Sequence, residues 1–154
     1  MGQQQLLLLV LGIVVVGLAV VVGIQAFGEN QKKANADAIT NDVIRIASDA
    51  QAWSLKPTAF GGGNGSFSPT SGPVTFEKLG YAMTGTGTAG VYTNLNASTS
   101  TGGTNSGYKL SAISATGVTI TGCNATRGNQ VRAVVNGTGP TNISTTVTNV
   151  TACS

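Results

Sequence analysis

The sequence predicts an α+β protein, in which one long amino-terminal α-helix packs its second half on a small antiparallel β-sheet. Three zones of composition carry that prediction. Residues 1–28 hold no charge, and residues 29–56 hold eight of the thirteen charges. From Pro57 onward 30 of 98 residues are Ser or Thr, with apolar positions recurring in alternation. The zones divide the chain into an apolar assembly or transmembrane helix over 1–28, the amphipathic half of the same helix over 29–56, and a loop with a β domain over 57–154.

Composition also excludes function classes. The 154 residues suffice for one domain, only 8% are charged, and histidine is absent. The five carboxylates are Glu29, Asp37, Asp42, Asp49 and Glu77. Acid–base and metal catalysis draw on these residue types, so no enzyme, metal site or cofactor is expected. The net charge of +3 comes from eight scattered cations, and aromatics make up 5%. Neither a basic patch nor a base-stacking platform is present, and no nucleic-acid partner is inferred.

The first element is a run of 19 residues, Leu6 to Ile24, made only of Leu, Val, Ile, Ala and Gly. As a helix it would measure about 28 Å, close to the ~30 Å of a bilayer's hydrocarbon core. A helix satisfies its own backbone and is the form expected there. A cleaved secretory signal is the alternative. It needs a positive leading segment, a shorter apolar core and a small-residue cleavage site. No Lys or Arg precedes this run, and helical periodicity continues beyond it. The side chains expected to pack against membrane or neighbours are Leu6, Leu7, Leu8, Leu9, Val10, Leu11, Ile13 and Val14, continued by Val15, Val16, Leu18, Val20, Val21, Val22 and Ile24. Gly12, Gly17 and Gly23 interrupt them at spacings that do not form GxxxG. Each weakens a helix by about 1 kcal/mol relative to Ala, so they are candidates for local loosening or close approach of neighbours. They read equally as ordinary glycines of a membrane helix.

The second element continues the first. Ile39, Val43, Ile46, Ala50 and Trp53 recur at steps of four and three, the apolar stripe of an amphipathic helix. Asn41, Asp42, Arg45 and Asp49 occupy the other face. No proline interrupts residues 6–55, and Pro57 is the first stop signal. One helix is therefore expected from about residue 4 to about 55, roughly 75 Å long. Half of it must project from a domain of this size. A projecting apolar half is at home in lipid or among identical neighbours, and both remove the same surface from water.

The third zone begins with a loop, Pro57 to Pro73, rich in Gly, Ser and Pro. Strands are expected at Val91–Leu95, Tyr108–Ser114, Val118–Thr121, Gln130–Val135 and Ile143–Val150. Ala115-Thr116-Gly117 serves as a tight connection. Short links between successive strands predict an antiparallel sheet, with one face on the helical stripe. Cys123 and Cys153 are the two cysteines. If paired, they close a loop of about 30 residues, worth about 3.6 kcal/mol in the chain-entropy model. A disulfide implies an oxidising compartment. A redox or metal pair is the alternative, without CxxC spacing or histidine to support it. N-x-[ST] sequons fall at Asn64, Asn96, Asn124, Asn136, Asn142 and Asn149, sites for N-glycosylation where the host has the machinery.

A charge-free apolar helix at the amino terminus, its amphipathic continuation, a Gly-rich loop, a small antiparallel sheet and a terminal cysteine pair together resemble the type IV pilin and pseudopilin family. The resemblance covers the whole chain as a layout, and at the level of sequence only about the first fifty residues. It implies a pilin-like fold. It also implies removal of a leader, methylation of the new terminus, insertion in the inner membrane, and handling by a pilus assembly machinery. Subunits then leave the membrane and stack helically, with apolar helices in the filament core. Cys123 and Cys153 match the pair that brackets the family's carboxy-terminal region, and the loop from Pro57 matches its helix-to-sheet loop. Two departures stand out. The family's glutamate five residues from the mature terminus is Gln5 here, or Leu7 if processing follows Gly2, and its proline near position twenty-two is Val22. Gln3, Gln4 and Gln5 are the only polar side chains before Gln25 and are expected to replace the missing charge with amide hydrogen bonds.

The expected function is structural: the major subunit of an extracellular type IV pilus-like filament at the cell surface, its partners being copies of itself. One alternative is a minor pseudopilin in a secretion or DNA-uptake machine. Another is a membrane-anchored adhesin or surface domain.

Overall fold

The computed structural model of the chain describes residues 2–84, 94–95 and 106–153. Its elements in order are α1 (Gly2–Leu55), the 3-10 turn η1 (Thr58–Phe60), β1 (Met83–Thr84), β2 (Asn94–Leu95), β3 (Ser106–Ser111), β4 (Gly117–Asn124), β5 (Asn129–Asn136), η2 (Pro140–Asn142) and β6 (Ile143–Asn149). The α+β layout expected from composition is the one observed. Contacts divide the chain into two compact units, Met1–Ala34 and Asn35–Ser154. Helix α1 runs through the boundary without a break.

The first unit is helix alone. Its sequence permits this: Leu, Val, Gly and Gln predominate, no proline intervenes, and an i→i−4 ladder satisfies every interior backbone group in spite of the glycines. Gly12, Gly17 and Gly23 do not interrupt it.

The second unit has a core of its own. Ile39, Val43, Ile46, Ala50 and Trp53 are buried, and Ala47 joins them one position from the expected stripe. Four strands form an antiparallel meander in the order β3-β4-β5-β6. Tyr108 and Leu110 of β3, Val118 and Ile120 of β4, and Val131, Ala133 and Val135 of β5 complete the core with the helix. Residues two apart along each strand point the same way, so this face is the one against α1.

Boundaries differ from expectation in two instructive places. The strand expected over Tyr108–Ser114 ends at Ser111. Ala112 takes a left-handed backbone (φ 47°), which resets the phase of the alternation. Ala112 is thereby exposed, and Ile113 turns back onto the core. The β4 strand is longer than Val118–Thr121 because it continues through Gly122 and Cys123. Gly122 is small for a reason. A Cβ there would stand 2.5 Å from Ile39 Cγ2 and 2.8 Å from both Val43 Cγ2 and Tyr108 Cε1. Helix and sheet touch at this point with no room for a methyl group. Gly122→Ala is expected to cost about 2 kcal/mol, as overpacking does, read as a lower urea midpoint with an unchanged slope. Of the expected strand Val91–Leu95, residues 94 and 95 pair with β1, and residues 91–93 lie outside the described residues.

The Pro57–Pro73 segment is a loop, as expected, but it is also part of the core. Phe67 is buried, as are Val74 and Phe76 just beyond it. The loop caps the carboxy-terminal end of α1, whose last carbonyls lack intrahelical donors. The N–H groups of Gly63, Gly65 and Asn64 donate to the carbonyls of Trp53 (3.0 Å), Ser54 (2.6 Å) and Lys56 (2.9 Å). Gly63 is required there: a Cβ would fall 1.9 Å from the Ser66 carbonyl oxygen. The Trp53 indole donates to the Gly61 carbonyl at 2.9 Å. Lys78 lies 5.5 Å above the Trp53 ring and donates to the carbonyls of Gly72 and Pro73, both at 2.9 Å.

Candidate assembly surface

The most unusual surface of the molecule belongs to residues 6–24. Every Leu, Val and Ile side chain there keeps between 50 and 68 % of its area open, and Phe27 keeps 73 %. Fifteen such side chains, from Leu6 to Ile24, stand exposed in one continuous stretch. Burying a Val, Leu or Ile side chain in full is worth about 1.5–3 kcal/mol, so covering this stretch is worth on the order of 20 kcal/mol. That exceeds the whole stability of an ordinary domain, about 5–15 kcal/mol. Exposed apolar patches of this size mark surfaces that contact membrane or protein.

Gln3, Gln4 and Gln5 lie in the opening turns of α1 and are exposed. No acidic side chain occupies that first turn, where the helix presents unpaired N–H groups. A Cβ built on Gly12, Gly17 or Gly23 would meet nothing within 4 Å. Among the described residues no contact therefore requires glycine at these positions. By length and composition α1 is able to cross a membrane.

The second unit holds its helical segment by polar ties that the periodicity did not reveal. Asp42 and Asp49 sit seven residues apart, hence on one face of the helix, and both are half-buried. Tyr108 donates its hydroxyl to Asp42 at 2.5 Å, and Tyr81 donates to Asp49. Burial, and then that hydrogen bond, push the Tyr81 hydroxyl above its ordinary value and keep it protonated as a donor. Charge alone would leave both aspartates in solvent, on the face opposite the apolar stripe. Two acceptors at heptad spacing and only three tyrosines in the chain were the available signal. Gln51 is a third such tie. It is buried, and its Nε2 donates to the carbonyls of Gly137 (2.9 Å) and Gly139 (2.8 Å), fixing the connection after β5.

Cys123 and Cys153 are joined in a disulfide, with Cα atoms 5.9 Å apart. Cys123 is buried in β4, and Cys153 follows the last strand. The bond therefore fastens the end of the chain across the sheet. Among the described residues no group of three or more His, Cys, Asp or Glu is placed to hold a metal ion. Of the sequons, Asn64, Asn136, Asn142 and Asn149 are exposed. Asn124 is half-buried, and its Nδ2 lies 3.5 Å from Asn35 Oδ1 on the helix. Asn96 lies outside the described residues.

No protein-family model, curated protein or solved structure matches this chain. Fold and surface nevertheless define a class of molecule. It has one apolar helix of membrane-spanning length and an α+β, disulfide-closed domain that packs the continuation of that helix on an antiparallel sheet. That layout is compatible with a pilin-like fold.

Proposed function

We propose that this chain is the major structural subunit of an extracellular type IV pilus-like filament. The observation that supports it best is the contrast along α1. Residues from Ile39 to Trp53 bury their stripe within their own unit, whereas Leu6 to Ile24 bury nothing there. A single helix that is satisfied in one half and unsatisfied in the other needs a second environment. Before assembly that environment is the bilayer; in the filament it is the same stretch of neighbouring copies. The same burial free energy serves both, so transfer between them costs little. The disulfide and the Thr-rich exposed strands suit an oxidising, hydrated exterior.

Gln3, Gln4 and Gln5 contribute polar pairing in an otherwise dry contact. An unsatisfied amide there costs about 1–3 kcal/mol, so the cluster selects registers in which every amide finds a partner. Replacing all three with Leu is expected to abolish ordered assembly while leaving membrane insertion intact. Electron microscopy showing filaments of unchanged regularity would remove the glutamines from the assembly contact.

Negative-stain microscopy of fibres sheared from cells, with mass spectrometry of their protein, tests the filament reading. Long uniform fibres made chiefly of this chain support it. Fibres in which this chain is a rare component favour a minor pseudopilin. A monomer that leaves the membrane only in detergent favours an anchored surface domain, a reading the membrane-length apolar helix also accommodates. The mass of the first peptide reports the processing site and its methylation.

A further inference from the structure

The four-stranded sheet ends on one side at β6, and among the described residues no strand pairs with its outer edge. Edge strands are usually guarded by charge, proline, a bulge or brevity, because their free N–H and C=O groups accept another strand. β6 has none of these guards. Its sequence, Ile-Ser-Thr-Thr-Val-Thr-Asn, holds no charge and no proline. Its register with β5 runs unbroken through seven pairs, from Val135↔Ile143 to Asn129↔Asn149. Residues 144–149 are exposed on both faces of the strand. Ile, Val and Thr, which favour strands, fill five of the seven positions.

The ladder fixes which groups look outward. Val150 N–H donates to the Gly128 carbonyl at 3.0 Å, one pair beyond the strand. Hydrogen-bonded pairs alternate with non-bonded ones in an antiparallel ladder, so Thr148, Thr146 and Ser144 are the residues bonded to β5. Ile143, Thr145, Val147 and Asn149 then direct their N–H and C=O groups to the open edge.

We propose that β6 pairs antiparallel with β6 of a second copy of this chain. The strand is suited to itself. Full overlap of two such strands about a two-fold axis at Thr146 sets Ile143 opposite Asn149 and Thr145 opposite Val147. Every outward residue then meets an outward residue, and the four facing pairs form about eight hydrogen bonds, two to each pair. A charged edge would repel its own copy; this one carries no charge to do so. Such a contact is small beside a stable interface of roughly 1,200 Å² or more, so between two isolated chains it is weak. Neighbours within one helical filament are related by a screw and not by a two-fold axis, so the pairing joins chains of separate filaments or separately anchored chains, and repetition strengthens it there. The proposal does not depend on the filament reading: the edge is the same in a chain anchored singly in a membrane.

Cross-linking captures a weak contact of defined register. Across the axis Thr146 faces Thr146, a non-bonded pair with Cα atoms about 4.5 Å apart, within the span of a disulfide. Ser144 faces Thr148, leaving the two Ser144 residues more than about 13 Å apart. Full-length Thr146→Cys in detergent, mildly oxidised with the native disulfide intact, is expected to give at least ten times more covalent dimer than Ser144→Cys. Adding Val147→Pro removes one outward N–H without touching the β5 ladder, and is expected to cut the dimer at least tenfold. Val147→Lys, which keeps the N–H and adds repulsion, guards against misfolding of the proline variant and is expected to act in the same direction. Equal cross-linking at 144 and 146, no cross-linking at 146, or a dimer unchanged by both substitutions at 147 overturns the proposal. These results are independent of whether the chain polymerises through residues 6–24.

Discussion

Removal of residues 1–25 is expected to convert the protein into a detergent-free monomer that neither inserts in membranes nor polymerises. The physical case is the size of the term removed. The deleted stretch carries the fifteen exposed Leu, Val and Ile side chains, whose cover is worth on the order of 20 kcal/mol. Among the described residues nothing of comparable size remains exposed. Phe27, Ile44, Leu55, Phe60 and Val147 are open but scattered singly, which is ordinary for a protein surface. The unit from Asn35 keeps its own core, from Ile39 through Val135, so the truncated chain retains a reason to fold. Sedimentation of the truncated chain at low micromolar concentration reads the outcome, since the edge contact of β6 is weak there. A truncated protein that still forms filaments, or still needs detergent, would place the assembly energy elsewhere.

Loss of the disulfide is expected to be the most damaging change within the second unit. The bond closes a loop with a sequence separation of 30, containing β5, η2 and β6. In the chain-entropy model that closure is worth about 3.6 kcal/mol, a large share of the 5–15 kcal/mol of a typical domain. The site makes the full effect reasonable. Cys123 is buried in a central strand, whereas β6 is exposed along nearly its whole length and buries little to hold itself in place. The double variant Cys123→Ala, Cys153→Ala is therefore expected to lower Tm by about 10–20 °C, with the β6 amides losing hydrogen-exchange protection first. A change of only a few degrees would show that the sheet holds its last strand without the bond.

The helix was legible in the sequence because its signals are local. Periodicity at steps of four and three marked Ile39, Val43, Ile46, Ala50 and Trp53, and all five are buried. The absence of proline before Pro57 placed the end of α1 at Leu55 within a residue. The strands expected over Gln130–Val135 and Ile143–Val150 from alternation and β-branched residues are found at Asn129–Asn136 and Ile143–Asn149. What escaped were contacts between residues far apart in the chain. Phe67, Val74 and Phe76 lie in or beside a loop by every local signal and are buried because the loop folds back on the end of the helix. Ala112 broke the phase of its strand through a backbone angle that an alanine does not advertise. Asp42 and Asp49 look like solvent-facing charges until Tyr108 and Tyr81 arrive from elsewhere in the chain.

The sequence by itself determined the division of labour: an uncharged run that water rejects, a helix continued past it, and a hydrated β-rich remainder. Those follow from composition and period, which each segment carries alone. Only the tertiary structure decided how closely the sheet approaches the helix at Gly122, which polar groups tie them together, and which edge of the sheet is left open. Such features depend on distances between segments, and no segment contains the distance to its partner.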